Sequence, residues 1–122
     1  MGKINSFQDL EIWKLSHQLA LDIYKITEQF PKKEEYRLIS QLIRAVTSIP
    51  TNIAEGMGRY SRKEFINFPV IARGSVEECK HLILLSNELN YVETSIYNNL
   101  KDQFDKLGKM INALISSLKR KQ

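Results

Sequence analysis

Residues 48–65 read SIPTNIAEGMGRYSRKEF, and how the chain passes through them decides the fold. Ile49 and Ile53 continue an apolar series begun by Leu42 and Val46, at spacings of four, three and four residues. That is the repeat of a helix with one buried stripe. Pro50 lies inside the series, where a proline removes the backbone bond to Val46 and crowds its carbonyl, at a cost of about 3 kcal/mol in an isolated helix. The stripe nevertheless keeps its phase. This predicts one continuous, bent helix, held by buried side chains on both sides of the bend. Gly56 and Gly58 are expected to end it by the usual glycine route. Ser61 and Glu64 then make an S-x-x-E capping box for the next helix.

Three further segments share this periodicity. Upstream, Ser6 and Asp9 form an N-cap arrangement and Pro31 marks a stop, giving a first helix over about residues 7–29. The helix through Pro50 covers about residues 34–55. Phe65, Phe68, Ala72, Ser75, Cys79, Leu82 and Leu89 line a third, over about residues 62–89, with Pro69 interrupting it as Pro50 interrupts the second. Ile96, Leu100, Phe104, Leu107, Ile111, Leu114 and Leu118 line a fourth, over about residues 95–119, whose negative end suits Lys119, Arg120 and Lys121. Long amphipathic helices joined by short loops predict an all-α, antiparallel, up-and-down four-helix bundle, one domain over residues 1–122.

Composition agrees. At 122 residues, with 43% hydrophobic and 26% charged side chains, the chain can bury a core without staples. A lone cysteine, Cys79, excludes an internal disulfide and a cysteine-based zinc site. No apolar run is long enough to span a membrane, and MGKINSFQDL lacks the apolar core of a signal peptide, so a cytoplasmic location is expected.

The net charge of +4 is unevenly placed. Residues 1–35 and 76–122 nearly balance, whereas residues 36–75 carry Arg37, Arg44, Arg59, Arg62, Lys63 and Arg73 against only Glu55 and Glu64. A local basic field attracts polyanions, so Arg44, Arg59, Arg62, Lys63 and Arg73 are the candidate nucleic-acid contacts. Exposed N–H groups at the start of the third helix are expected to add to their pull on phosphate. No regular aromatic interleaving accompanies them, which predicts backbone contacts rather than base stacking. The plain alternative is a solvated helix corner.

The first helix has two apolar stripes where the fourth has one. Ile12, Leu15, Leu19, Ile23, Ile26 and Phe30 suit the bundle core, while Leu10, Trp13, Ala20, Leu21 and Tyr24, with His17 among them, lie on nearly the opposite side. One core cannot cover both. The second stripe predicts a subunit interface, or else a loop or tail that covers it.

Signs of catalysis are sparse. Arg44, Ser48, Asn52 and Glu55 share a face of the second helix, and Arg44, Asn52, Glu55, Ser75 and Glu78 suit a partly buried polar network that fixes packing register. The chemical alternative, Glu55 and Glu78 as acid and base, requires a pocket. His17 and His81 stand on different helices with no ligand spacing, so no metal is expected. Cys79 reads as a small core residue and Gly74 as a site of close helix packing. Phosphate loops, nucleophile elbows and dinucleotide fingerprints are absent, and neither enzymatic activity nor a cofactor is expected.

The block Ser48, Ile49, Pro50, Asn52, Ile53, Ala54, Glu55, Gly56 and Arg59, followed by Ser61, Glu64, Phe65, Ala72, Gly74, Ser75 and Glu78, resembles a family of four-helix bundles. Its members include proteins encoded in intervening sequences of bacterial 23S ribosomal RNA genes. The resemblance implies a helical ring, often a homopentamer, with no established enzymatic activity. The family is also similar to the accessory variability determinant of diversity-generating retroelements, a basic pentamer that binds nucleic acid and a reverse transcriptase. Pro69 departs from the aliphatic residue expected at its position. Two functional classes follow: an oligomeric scaffold for nucleic acid, and a pure assembly or protein-interaction module.

Overall fold

The computed structural model describes residues 6–120. Four long helices carry the chain: α1 Glu11–Thr27, α2 Leu38–Met57, α4 Asn67–Glu88 and α5 Thr94–Arg120, with a single turn, α3 Arg62–Phe65, just before α4. Short 3-10 turns occupy Phe7–Asp9 and Lys32–Glu34. The fold is all-α. α2 packs between α1 and α4, α4 packs on α5, and α5 returns against α1 to close the bundle.

The core follows from the stripes. Leu19 and Ile23 of α1, Val46, Ile49 and Ile53 of α2, Val76 and Ile83 of α4, and Phe104, Leu107 and Ile111 of α5 are fully buried. Each such side chain contributes about 1.5–3 kcal/mol through lost apolar hydration. Cys79 lies among them, and burial, aided by the neighbouring Glu78 carboxylate, pushes its thiol up to about 12, so it stays neutral as a core residue. At the far end, Tyr91 packs against Phe30 and donates its hydroxyl proton to Glu34 at 2.9 Å, tying the α1–α2 connection to the turn after α4.

Several boundaries differ from the sequence expectation, each for a local reason. The Ser6–Asp9 capping box forms, with Ser6 N–H donating to Asp9 Oδ2 at 3.1 Å, but it caps the 3-10 turn. Leu10 is extended and α1 starts only at Glu11. α2 starts at Leu38 because Arg37 stands outside helical geometry, at φ −118° and ψ −102°. The two prolines also diverge. α2 runs through Pro50 as one helix, as the unbroken stripe requires. Pro69 instead falls in the first turn of α4, where a missing N–H matters least, and the helix expected from residue 62 is split into α3 and α4.

The glycines do other work than expected. No glycine among the described residues has positive φ, and Gly58 ends α2 at φ −84°. Among the described residues the left-handed one is Asn90, at φ 65°, which closes α4 as Tyr91 N–H reaches back to Ser86 O at 2.9 Å. Gly56, inside α2, permits a close approach: an added Cβ would lie 3.0 Å from the Phe65 ring and 3.1 Å from Phe68 Cβ. Gly74 has nothing within 4 Å of such a Cβ, so it does not serve close packing. Lys121 and the start of MGKINSFQDL, residues 1–5, lie outside the described residues.

Candidate assembly groove and basic corner

The second stripe of α1 does not stand alone. Trp13, His17, Ala20, Leu21 and Tyr24 form one wall of a groove of about 410 Å³. Thr47, Pro50, Thr51 and Ala54 of α2 form the other, with Phe7 and Glu55 also contributing. Trp13 stacks on His17 with centroids 4.5 Å apart and planes 13° off parallel, and Phe7 meets Trp13 edge-on at 5.1 Å. These rings brace one another. Leu21 and Tyr24 remain 51% and 52% exposed, although Ala20 beside them is buried. Leu10, expected in this stripe, does not line the groove and, like Trp13, packs against the bundle core.

Thr47 helps make the α2 wall apolar. Its hydroxyl donates to Ile43 O at 2.7 Å, within its own helix, and offers the groove no unsatisfied donor. Sequence reading missed this wall because it took each helix singly. The signal was present: residues 47, 50, 51 and 54 are small or apolar at i, i+3, i+4 and i+7, one helical stripe.

The polar residues of α2 divide by the side they face. Ser75 of α4 donates to Ser48 Oγ at 3.1 Å, and Asn52 Nδ2 donates to Ser48 Oγ at 3.0 Å and to Ser48 O at 2.8 Å. This chain of polar groups pins α2 to α4. Arg44, Glu55 and Glu78 are exposed and stand apart from it. With Ser48 opposite Ser75 on antiparallel helices, Glu55 and Glu78 are ten residues apart in register, about 15 Å along the axis. They do not form an acid–base pair.

The basic residues divide too. Arg59, Arg62 and Lys63 gather where α2 gives way to α3, all exposed. Arg59 lies over the Phe68 ring at 4.5 Å, a cation–π contact that locates its guanidinium. Ser61 Oγ accepts from Glu64 N–H at 3.1 Å, so the turn's own serine takes a donor expected to help hold phosphate. Arg44 stands 15 residues before Arg59, about 22 Å away along α2. Arg73 shares the phase of Lys80, seven residues on, and Lys80 pairs with Asp105 of α5 at 2.7 Å. Arg73 therefore faces the α5 side, and the five cations are not one patch.

His17 stacks in the groove and His81 is exposed on α4. Among the described residues, no group of three His, Cys, Asp or Glu side chains could hold a metal ion, and no helix is long and apolar enough to cross a membrane.

Comparisons with known proteins agree with this architecture. No curated protein matches the chain. Among the solved chains that match is a crystal structure of a protein with unknown function from the S23 ribosomal protein family of Bacteroides thetaiotaomicron VPI-5482. It is 25% identical, with a TM-score of 0.76, over 85% of this chain and 97% of that one. The pattern of 23S rRNA-intervening sequence proteins matches residues 8–113, from the turn before α1 to the last third of α5. A match of that extent, on a bundle of the same shape, places the chain in the 23S rRNA-intervening sequence protein family.

Proposed function

We propose that the protein is a non-enzymatic, cytoplasmic scaffold whose copies join through the α1–α2 groove into a ring, and whose basic corners hold nucleic-acid backbone. The groove carries the proposal. An open apolar seam with two half-exposed large side chains is the kind of surface that a subunit contact covers. A pentamer is the ring that the family resemblance implied. Light scattering tests it: the expected mass is about five times that of the 14.2 kDa chain, in line with closed cyclic assembly. A monomer mass would overturn the ring.

Repetition makes the corner effective. Five copies of a chain of charge +4 total +20, enough for salt-sensitive binding with little sequence preference. Neutralising Arg59, Arg62 and Lys63 together should weaken binding to RNA and DNA alike and flatten the salt slope by roughly one unit for each phosphate no longer neutralised. The matched control neutralises Lys101, Lys106 and Lys109 of α5. Equal losses from both triple variants would mean that net charge alone acts and the corner is not the site.

One observation favours the alternative, an assembly module with no nucleic-acid role. Arg59 already has a structural partner in Phe68, so part of the cluster is explained by packing. Absence of binding at low salt would decide for that alternative.

A further inference from the structure

Tyr60 is 103% exposed, its ring touched by no wall of the protein. Other aromatic side chains have company: Phe104 is in the core, Phe7 and Trp13 brace the groove, Phe30 meets Tyr91, and Phe68 lies under Arg59. Tyr36, at the other end of the bundle, is 87% exposed, but the acids Glu34 and Glu35 stand among its basic neighbours. Tyr60 differs. Arg59 precedes it, Arg62 and Lys63 follow it, and no acid intervenes before Glu64.

The backbone fixes this arrangement. Ser61 is extended, at φ −120° and ψ 155°, and its hydroxyl is bonded into the next turn. That conformation sets Tyr60 and Arg62 about 7 Å apart at their Cα atoms. Arg59 is located on the other side by Phe68. A free π-face stands beside Arg59, which Phe68 locates, in a run of basic residues.

We infer that Tyr60 is a stacking platform for an unpaired base, and that the corner prefers single-stranded nucleic acid to duplex. The inference rests on the nucleic-acid reading above. Its logic is a division of labour in which the cations take the phosphates and the ring takes the face of a base. In a duplex the bases are already stacked on their neighbours, so only an unpaired base can lie on the tyrosine. Every base has a π-face, so such stacking is tolerant of sequence.

The test is fluorescence anisotropy on the full chain, with labelled oligo-dT and oligo-U and a mixed-sequence DNA duplex of equal length, across salt concentrations. The unmodified protein should bind the single strands more tightly. Tyr60→Ala should weaken them about tenfold, as loss of one stacked base does, leave the duplex unchanged, and keep the salt slope, since no charge is removed. Tyr60→Trp should restore the single-strand affinity. With the ring fully exposed, the alanine variant should melt with the parent. If Tyr60→Ala weakens neither probe, or both alike, stacking is overturned while backbone binding stands. If the unmodified protein binds no probe at low salt, the underlying nucleic-acid reading falls, and stacking with it. If Tyr60→Ala changes the assembled mass, the ring is a contact between copies and the inference is overturned.

Discussion

α2 treats its two neighbours differently. Toward α4, Gly56 admits the Phe65 ring, and Ser48 receives protons from Ser75 and Asn52. Toward α1, only one position away at each level, Thr47, Thr51 and Glu55 border an open groove. Similar small residues serve both flanks, and what separates them is where their polar groups find partners. The Ser48 hydroxyl links two helices, whereas the Thr47 hydroxyl folds back onto Ile43 O and leaves its flank apolar and unsealed. One seam completes the bundle, and the other invites a second copy.

The largest expected effect lies on the open flank. Tyr24→Glu places a charge on a side chain that is half exposed within the single chain, so the bundle should keep its thermal stability. A subunit contact there would have to bury that charge without a partner, which costs several kcal/mol, enough to dissociate the assembly. Light scattering should report a monomer with an unchanged helical spectrum. An intact assembly would show that copies meet elsewhere and that the open flank is ordinary surface.

On the closed flank, Gly56→Ala should cost about 1 kcal/mol, the net of opposing effects. Alanine is favoured over glycine within a helix by up to about 1 kcal/mol. Overpacking costs about 1–3 kcal/mol. The ring of Phe65 can turn aside, but Phe68 Cβ is attached directly to the backbone and cannot move alone, which decides the sign. Urea unfolding would measure it. A more stable variant would mean that this seam is looser than the 3.0 Å between an added Cβ and the Phe65 ring implies.

Periodicity made the four long helices legible, because apolar phase survives local interruptions. It could not show the 3-10 turn before α1, which depends on the extended φ and ψ of Leu10, or the break at Ile66, whose own φ −59° and ψ −26° are helical and where the helix is interrupted by the N–H that Pro69 lacks. Pro50 and Pro69 look alike in sequence. Their fates differ because one lies in mid-helix between buried turns and the other in a first turn, a distinction set by where α4 begins. Half of the groove was legible on α1 and half was overlooked on α2. Of the polar network only Asn52 and Ser75 were legible, and Ser48, which joins them, was placed on the face but not in the network, because helical phase sets a residue's face without fixing its height or its partners.

The smallest effect belongs to a third seam, between α4 and α5, sealed by charge instead of hydroxyls. Lys80 bonds Asp105 at 2.7 Å, with Lys101 at 3.3 Å on the other oxygen. The hydrogen bond from Lys80, with Lys101 assisting, holds the Asp105 carboxyl below its ordinary 3.8, and the same bond holds the Lys80 ammonium above its ordinary 10.5. A lowered acid contributes stability that is complete above its unfolded value and is lost as pH falls through the folded one. A raised base contributes stability that is complete below its unfolded value and is lost as pH rises through the folded one. The pair therefore stabilises between those limits. Asp105→Asn should lower the urea midpoint slightly at about pH 7. The difference from the parent should shrink as the acid protonates below its lowered value, and shrink again in about 1 M salt. A difference that persists under both conditions would mean that packing, as where a Cβ added at Gly108 would meet Val76 at 3.8 Å, seals this seam, and that α2's open flank differs from its neighbours in apolar fit alone.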